Sequence, residues 1–227
     1  AALLARVGEA GGGGTTLAIA GLDDPSARVR ERIADALGRL AASARSEHER
    51  RPMIRGLLGA AVCDRDQGVR RAAIDALGRL DSAMLVSGEH RGVTGVLTRA
   101  AHDPCPAVRI RTMYVLSTRG LVSVDAGAAD AWDLDIFTQA AHDPHPGVRE
   151  AAVYAMSRVG DGRGEIIALL GEALSDSARE VREMAASALA RLGQRAAPLA
   201  SALVERLYDE DPNVQEAAGR ALGAIGS

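Results

Sequence analysis

Apolar residues return to one helical face six times along this chain. Counted from the Val that opens each copy, at Val29, Val69, Val108, Val148, Val181 and Val214, the intervals are 40, 39, 40, 33 and 33 residues. Arg follows in five copies (Arg30, Arg70, Arg109, Arg149, Arg182) and Gln215 in the sixth. Eight positions on stand Leu37, Leu77, Leu116, Met156, Leu189 and Leu222; eleven on stand Leu40, Leu80, Val159, Leu192 and Ile225, with Arg119 as the exception. Offsets zero, four, eight and eleven share one side of a helix of 3.6 residues per turn, so every copy predicts an amphipathic helix. Small residues at offset four, such as Ala152, Ala185 and Ala218, let a neighbouring helix approach closely.

Ahead of each such helix lies a second apolar pattern, for example Ile166, Ile167, Leu170 and Leu174, or Leu199, Leu203, Val204 and Leu207, with Pro198 suited to a first turn. The fourth copy, His142 to Gly160, displays the unit most clearly: a loop, a proline-started helix and a glycine stop. One helix pair cannot hide both apolar faces, whereas stacked pairs bury a continuous core. The expectation is an all-α chain, an α-solenoid (superhelix) of stacked antiparallel helix pairs. Leu4 to Gly8 repeats the end of a second helix, so residues 1–10 are expected to form a partial repeat or cap helix. Gly11 to Gly14 reads as a linker, and residues 11–227 as six repeats in one continuous solenoid. The first three repeats carry extra residues, Ala41 to Arg51, Asp81 to Arg91 and Gly120 to Trp132. As loops these would line one edge as a lip, either a binding edge or polar linkers that tolerate length.

Composition agrees with an array. The apolar excess is Ala, Leu and Val, with one Trp, one Phe and three Tyr, too few large side chains to centre a globular core. The net charge is −3, and all 27 cations are Arg, a bias typical of a GC-rich genome. No basic surplus favours a phosphate backbone. Cys63 and Cys105 form no CxxC or metal-finger spacing and read as reduced thiols of a cytoplasmic protein. No signal peptide and no membrane-length apolar run is visible.

The phrases DPSARVRERIADALGRL, DQGVRRAAIDALGRL, DPHPGVREAAVYAMSRVG, SAREVREMAASALARLG and DPNVQEAAGRALGAIG resemble the HEAT repeat family, in particular its short bacterial, bilin-lyase-type repeats. The resemblance covers almost the whole chain and implies the solenoid. It implies less about function, because the family holds scaffolds, enzyme subunits and some enzymes. Its di-iron hydroxylases carry His-Glu just after the Val-Arg; here the first of those positions holds Glu31, Arg71, Ile110, Glu150, Glu183 and Glu216, so that chemistry is excluded. Its DNA glycosylases use a basic, aromatic concave face, which this acidic, aromatic-poor chain does not match. P-loop, G-x-S-x-G, H-E-x-x-H and dinucleotide motifs are absent.

The Asp five residues before each origin (Asp24, Asp64, Asp103, Asp143, Asp176, Asp209) and the following Arg recur too regularly for a single catalytic centre. Facing rows of Asp and Arg instead satisfy turn backbone between consecutive repeats. Ser26, Asp66 and Asp211 occupy N-cap positions, where repeats three and four have Cys105 and His145. With His102 and His142 these make four candidate metal ligands on two turns, in the twin phrases AAHDPCP and AAHDPHP; duplication of one repeat accounts for the twinning equally well, and no cofactor is expected. Asp133 reads as a cap for the next helix, with Trp132 as its staple. Offsets two, three, six, nine and ten should point away from the core, onto the concave side. There Ile110, Arg111, Tyr114, Glu150, Tyr154 and Arg158 form the candidate partner-binding face, unless the two Tyr pack over neighbouring repeats. A non-catalytic scaffold for a protein or peptide, using this face and the lip, is the expected function. The alternative implied by the resemblance is an accessory or catalytic subunit like the HEAT-type bilin lyases.

Overall fold

The structure, a computed structural model, describes residues 11–80, 87–119, 130–159 and 164–226, so the expected partial repeat over residues 1–10 lies outside it. Twelve α-helices occur among the described residues, and no strand. They are α1 (Gly11–Ala20), α2 (Ala27–Ser43), α3 (Glu47–Cys63), α4 (Gln67–Gly78), α5 (Ser87–Ala100) and α6 (Pro106–Arg119). There follow α7 (Asp130–Ala141), α8 (Pro146–Val159), α9 (Gly164–Ala173), α10 (Arg179–Leu192), α11 (Ala200–Arg206) and α12 (Pro212–Ile225). The even-numbered helices are the Val-opened second helices of the sequence pattern.

The chain forms two compact units, residues 1–115 and 116–227, with the division falling inside α6. In the first, α1, α3 and α5 pack in succession as one layer while α2 packs on α4 as the other. In the second, α8, α10 and α12 make the second-helix layer, with α7 and α9 in the first layer and α11 on α12. Turns of a few residues, such as 64–66 and 142–145, return each helix beside its predecessor and give the antiparallel pairing of a solenoid. The predicted core positions are buried: Leu37, Leu77, Leu116, Met156 and Leu189 at offset eight, and Ala73, Thr112, Ala152, Ala185 and Ala218 at offset four. Thr112 satisfies its hydroxyl on the Val108 carbonyl, 2.9 Å away. Val29, 40 % exposed, departs from the other five origins, which are buried.

Several local expectations are corrected. Gly11 to Gly14 is the first turn of α1, not a linker. The first insertion is mostly helix: α2 runs on to Ser43, and α3 starts at Glu47 behind the N-cap Ser46, whose side chain accepts the Glu49 N–H. Glu49 in turn accepts the N–H of Arg45, one residue before the N-cap, so the S-E-H-E sequence acts as a variant of the capping box. The loop is reduced to residues 44–46. In the second and third insertions Ser87 to Arg91 and Asp130 to Trp132 are helical, and the remainder lies outside the described residues. Because α7 begins at Asp130, Trp132 and Asp133 sit within its first turn and are neither staple nor cap. Ser26 holds the N-cap position of α2 without a side-chain bond, and its own N–H is accepted by Asp24. Asp66 and Asp211 cap α4 and α12 as expected, accepting from Gly68 and Val69 and from Asn213.

Candidate functional site

The Asp and Arg rows form a ladder. Within the first unit Arg30 grips Asp64 with two bonds of 2.7 and 2.8 Å, and Arg70 grips Asp103 likewise. Within the second, Arg149 holds Asp176 at 2.7 Å through each bond, and Arg182 holds Asp209 at 2.9 and 2.8 Å. A third arm of each guanidinium donates to the backbone carbonyl of its own repeat's Asp, as from Arg70 to Asp64 and from Arg182 to Asp176, 3.0 Å in both. The Asp also accepts a backbone N–H two residues on, for example from Asp66 to Asp64 and from Ala178 to Asp176. The Arg30 fork, outweighing burial, holds Asp64 below the ordinary carboxylate range, and the Arg182 fork does the same for Asp209. At Asp103 and Asp176 burial pushes upward, but Arg70 and Arg149 overcome it and the net direction is again down. Each of the three nitrogens of these guanidinium groups is engaged by backbone or by a neighbouring repeat, which makes the ladder a structural device.

At Gln215 the ladder changes. Its Nε2 donates to the Asp209 carbonyl at 2.7 Å, reproducing the arm that the arginines direct to their own turn. The amide has no second arm to extend to a further carboxylate.

The four candidate metal ligands fall in different units, His102 and Cys105 in the first, His142 and His145 in the second. His102 Nδ1 lies 2.8 Å from the Thr98 carbonyl and His142 Nδ1 2.7 Å from that of Thr138, each turning back onto the end of the helix that precedes it. His142 Nε2 is 3.2 Å from Glu172, on the rim of a cleft of about 290 Å³ between the turns of repeats four and five. Cys105 Sγ meets the Gln67 side chain. His145 resolves the capping anomaly, because its Nδ1 accepts the Gly147 N–H at 3.1 Å and performs the N-cap role of Asp or Ser. Among the described residues no group of three or more His, Cys, Asp or Glu is arranged to hold a metal ion. Cys63 and Cys105 are unbridged.

The outward face of the second helices follows the sequence at offsets two, six and ten, where side chains are half-buried to exposed. Offset nine is corrected. Gly38, Ser117 and Ser157 are buried there, because this position meets the adjacent second helix; a Cβ on Gly38 would lie 2.5 Å from the Ala76 Cβ. Offset three is mixed, with Arg32 exposed but Ala72, Ala151 and Ala217 buried. In the first unit Ile110, Arg111 and Tyr114 are half-buried along α6, and Arg111 pairs with Asp75 of α4. In the second unit Glu150 and Tyr154 are half-buried and Arg158 is exposed on α8. Burial, then the nearby Glu180 and Glu183, pushes the Glu150 carboxyl upward.

Sequence reasoning missed two features. Between α2 and α4 lies a cleft of about 250 Å³ whose walls include Arg28, Arg32, Arg71 and Arg79. The signal for it was available in the offsets, where arginines at minus one, two, three and ten outnumber acids. The second is the edge of α11, where Val204 and Leu207, read as core positions, are exposed beside Tyr208 at 86 %. No helix of the described residues is long and apolar enough to cross a membrane.

The profile of the HEAT repeats family matches residues 134–209 and again 167–227. Among solved structures the chain is similar to the archaeal HEAT-like repeats protein of Thermococcus onnurineus NA1, with 16 % identity over 99 % of this chain and 92 % of that one and a TM-score of 0.63. It is similar to a designed armadillo repeat protein in complex with the peptide (KR)4, with 17 % identity, coverage of 92 % and 98 %, and a TM-score of 0.62. A chain from the complex of CpcE and CpcF of phycocyanin lyase from Nostoc sp. PCC7120 is 24 % identical, with coverage of 94 % and 77 % and a TM-score of 0.56. Identities this low speak to fold. No curated protein sequence matches. The family profile covers residues 134–227, and the same Val-Arg phrase and helix pairing recur in the repeats before them, so this part of the chain carries HEAT repeats and the remainder resembles them.

Proposed function

We propose that this protein is a non-catalytic scaffold that holds a segment of another protein on the outward face of its second helices. The observation that carries the reading is the contrast along those helices. Offsets zero, four and eight are buried almost throughout, while offsets two and six present Arg, Glu, Asp and Tyr with half-open surfaces that no further helix layer covers among the described residues. Amphipathic Tyr and Arg on a rigid helical layer suit recognition of a partner segment. The proposed contacts are Ile110, Arg111 and Tyr114 in the first unit and Glu150, Tyr154 and Arg158 in the second. A designed armadillo protein of similar fold is found in complex with a peptide, which supports the reading. Two unbridged cysteines suit a reducing compartment such as the cytoplasm.

The test is affinity capture with the immobilised chain, compared with a Tyr114→Ala, Tyr154→Ala variant of equal helicity. A protein retained by the first and lost by the second supports the reading; equal retention moves the binding site off this face. The similarity to a phycocyanin lyase complex favours one second reading, a subunit that assists attachment of a linear tetrapyrrole. Mixing the chain with such a pigment and an acceptor protein then yields a coloured adduct that survives denaturation; a mixture whose colour separates from the protein counts against it.

A further inference from the structure

We propose that the second-helix face of residues 1–115 docks an acidic peptide segment of a protein partner. This rests on the scaffold reading and narrows it. The chain as a whole is acidic, at −3, yet this face is not. Apart from the ladder, α2, α4 and α6 place Arg28, Arg32, Arg39, Arg71, Arg79 and Arg111 on it, against the carboxylates of Glu31, Asp35 and Asp75 alone. Six minus three leaves three positive charges in excess.

The depth of the two signs matters as much as their number. Asp35 lies between Arg39 at 2.6 Å and Arg79 at 2.8 Å, and these pairs, prevailing over burial, hold its carboxyl below the ordinary range. Asp75 pairs with Arg111, and Glu31 stands 3.8 Å from Arg71. Asp35 and Asp75 are the less exposed members of their pairs, so the acids form a neutralised floor and the guanidinium groups the rim. Arg28 and Arg32 are exposed and have no ion-pair partner among the described residues. Guanidinium forks take carboxylates in bidentate geometry, and the cleft of about 250 Å³ between α2 and α4 has room for acidic side chains beside them. Carboxylates interleaved with the arginines repel a continuous phosphate backbone, and no aromatic residue lines the cleft to stack a base. A peptide with spaced Asp and Glu meets the rim and avoids the floor. The face of the second unit lacks the excess, because Glu150, Glu180, Glu183 and Glu216 offset Arg158, Arg179, Arg191 and Arg220.

The test is fluorescence anisotropy on the whole chain with a labelled (DE)4 octapeptide, and with (KR)4 and a short DNA duplex as counter-probes. The expected result is saturable binding of (DE)4 that weakens with added salt and falls by about tenfold or more in Arg28→Glu, Arg32→Glu. Arg28→Gln, Arg32→Gln loses less, and Arg191→Glu, Arg220→Glu on the second unit leaves binding unchanged. Equal circular dichroism of all variants ties the losses to charge rather than folding. No binding of (DE)4, a preference for the duplex or for (KR)4, or an equal loss in the second-unit variant overturns the proposal. The scaffold reading is scored separately: a partner lost with Tyr114→Ala, Tyr154→Ala but retained by Arg28→Glu, Arg32→Glu keeps the scaffold and removes the acidic segment.

Discussion

Arg182 and Asp209 show what one rung of the ladder is worth. Their side chains are 7 % and 3 % exposed, and the carboxylate receives both fork bonds and the Asp211 N–H. Asp209→Ala leaves a buried guanidinium without its partner, so a loss of about 3 to 5 kcal/mol is expected from urea unfolding. Glu47→Ala, which breaks the exposed pair with Arg51, stays within the scatter of the same measurement. The lowered carboxyls of Asp64, Asp103, Asp176 and Asp209 fix the sign of the pH dependence. A folded-state value below the unfolded one means that the unfolded chain binds more protons in between. The ladder's contribution is therefore complete above the unfolded value, near pH 4, and is lost as pH falls from there through the folded values. Glu150 runs the other way. Burial and then Glu180 and Glu183 raise its carboxyl, so the folded chain binds the extra proton and stability falls as pH rises through the window above the unfolded value. Glu150→Gln should raise the melting temperature at pH 7 and leave it unchanged at pH 3, where the carboxyl is protonated in both states. An equal gain at both pH values would trace the effect to packing instead of charge.

Helices α2 and α4 meet at Gly38, where an added Cβ would stand 2.5 Å from the Ala76 Cβ and 2.8 Å from its Cα. The neighbouring atoms are a methyl and backbone, not the far end of a flexible chain, so the helices themselves would have to separate. Ala in place of Gly gains about 1 kcal/mol of helix propensity, but overpacking in a close-packed core costs about 1 to 3 kcal/mol. Gly38→Ala is thus expected to be destabilising overall. Gly59 of α3 has open space around its Cα, and Gly59→Ala should stabilise by about 0.5 to 1 kcal/mol. Paired urea titrations give the two signs directly, and a gain at both sites would mean that α2 and α4 can move apart without loss. The same contact explains why offset nine was misread. A small residue at that place looks like one more exposed position in a single-helix projection, and only the crossing of two helices reveals it as a contact. Helix ends were misread for a related reason. Ser46 and Glu49 carry a legible capping box, but an insertion counted against the repeat length suggested loop where the chain simply lengthened two helices.

For the whole molecule, the period of Val, Arg and Leu made the helix pairing and the buried stripe legible, because a one-dimensional stack writes its core into sequence once per repeat. The ladder was legible for the same reason. The outward face was legible only in part, since periodicity tells which residues leave the core and not which of them end paired, as Asp35 and Asp75 do, or unpaired, as Arg28 and Arg32 do. A stack held by contacts between neighbours also makes a prediction about how damage spreads. Asp209 joins the last repeat to the one before it, and the ladder passes no second fork arm forward from Gln215. If stability is a sum of repeat and nearest-neighbour terms, Asp209→Ala should loosen α12 and spare distant helices. Amides of α12 after Pro212 are expected to exchange about 100-fold faster by hydrogen exchange with mass spectrometry, the rate equivalent of about 3 kcal/mol. Amides of Gln67–Gly78, tied to their neighbours by Arg70 and Asp103, should keep their protection. Uniform acceleration in both helices would show that the repeats open as one cooperative body, and the neighbour-by-neighbour account of this chain would have to be given up.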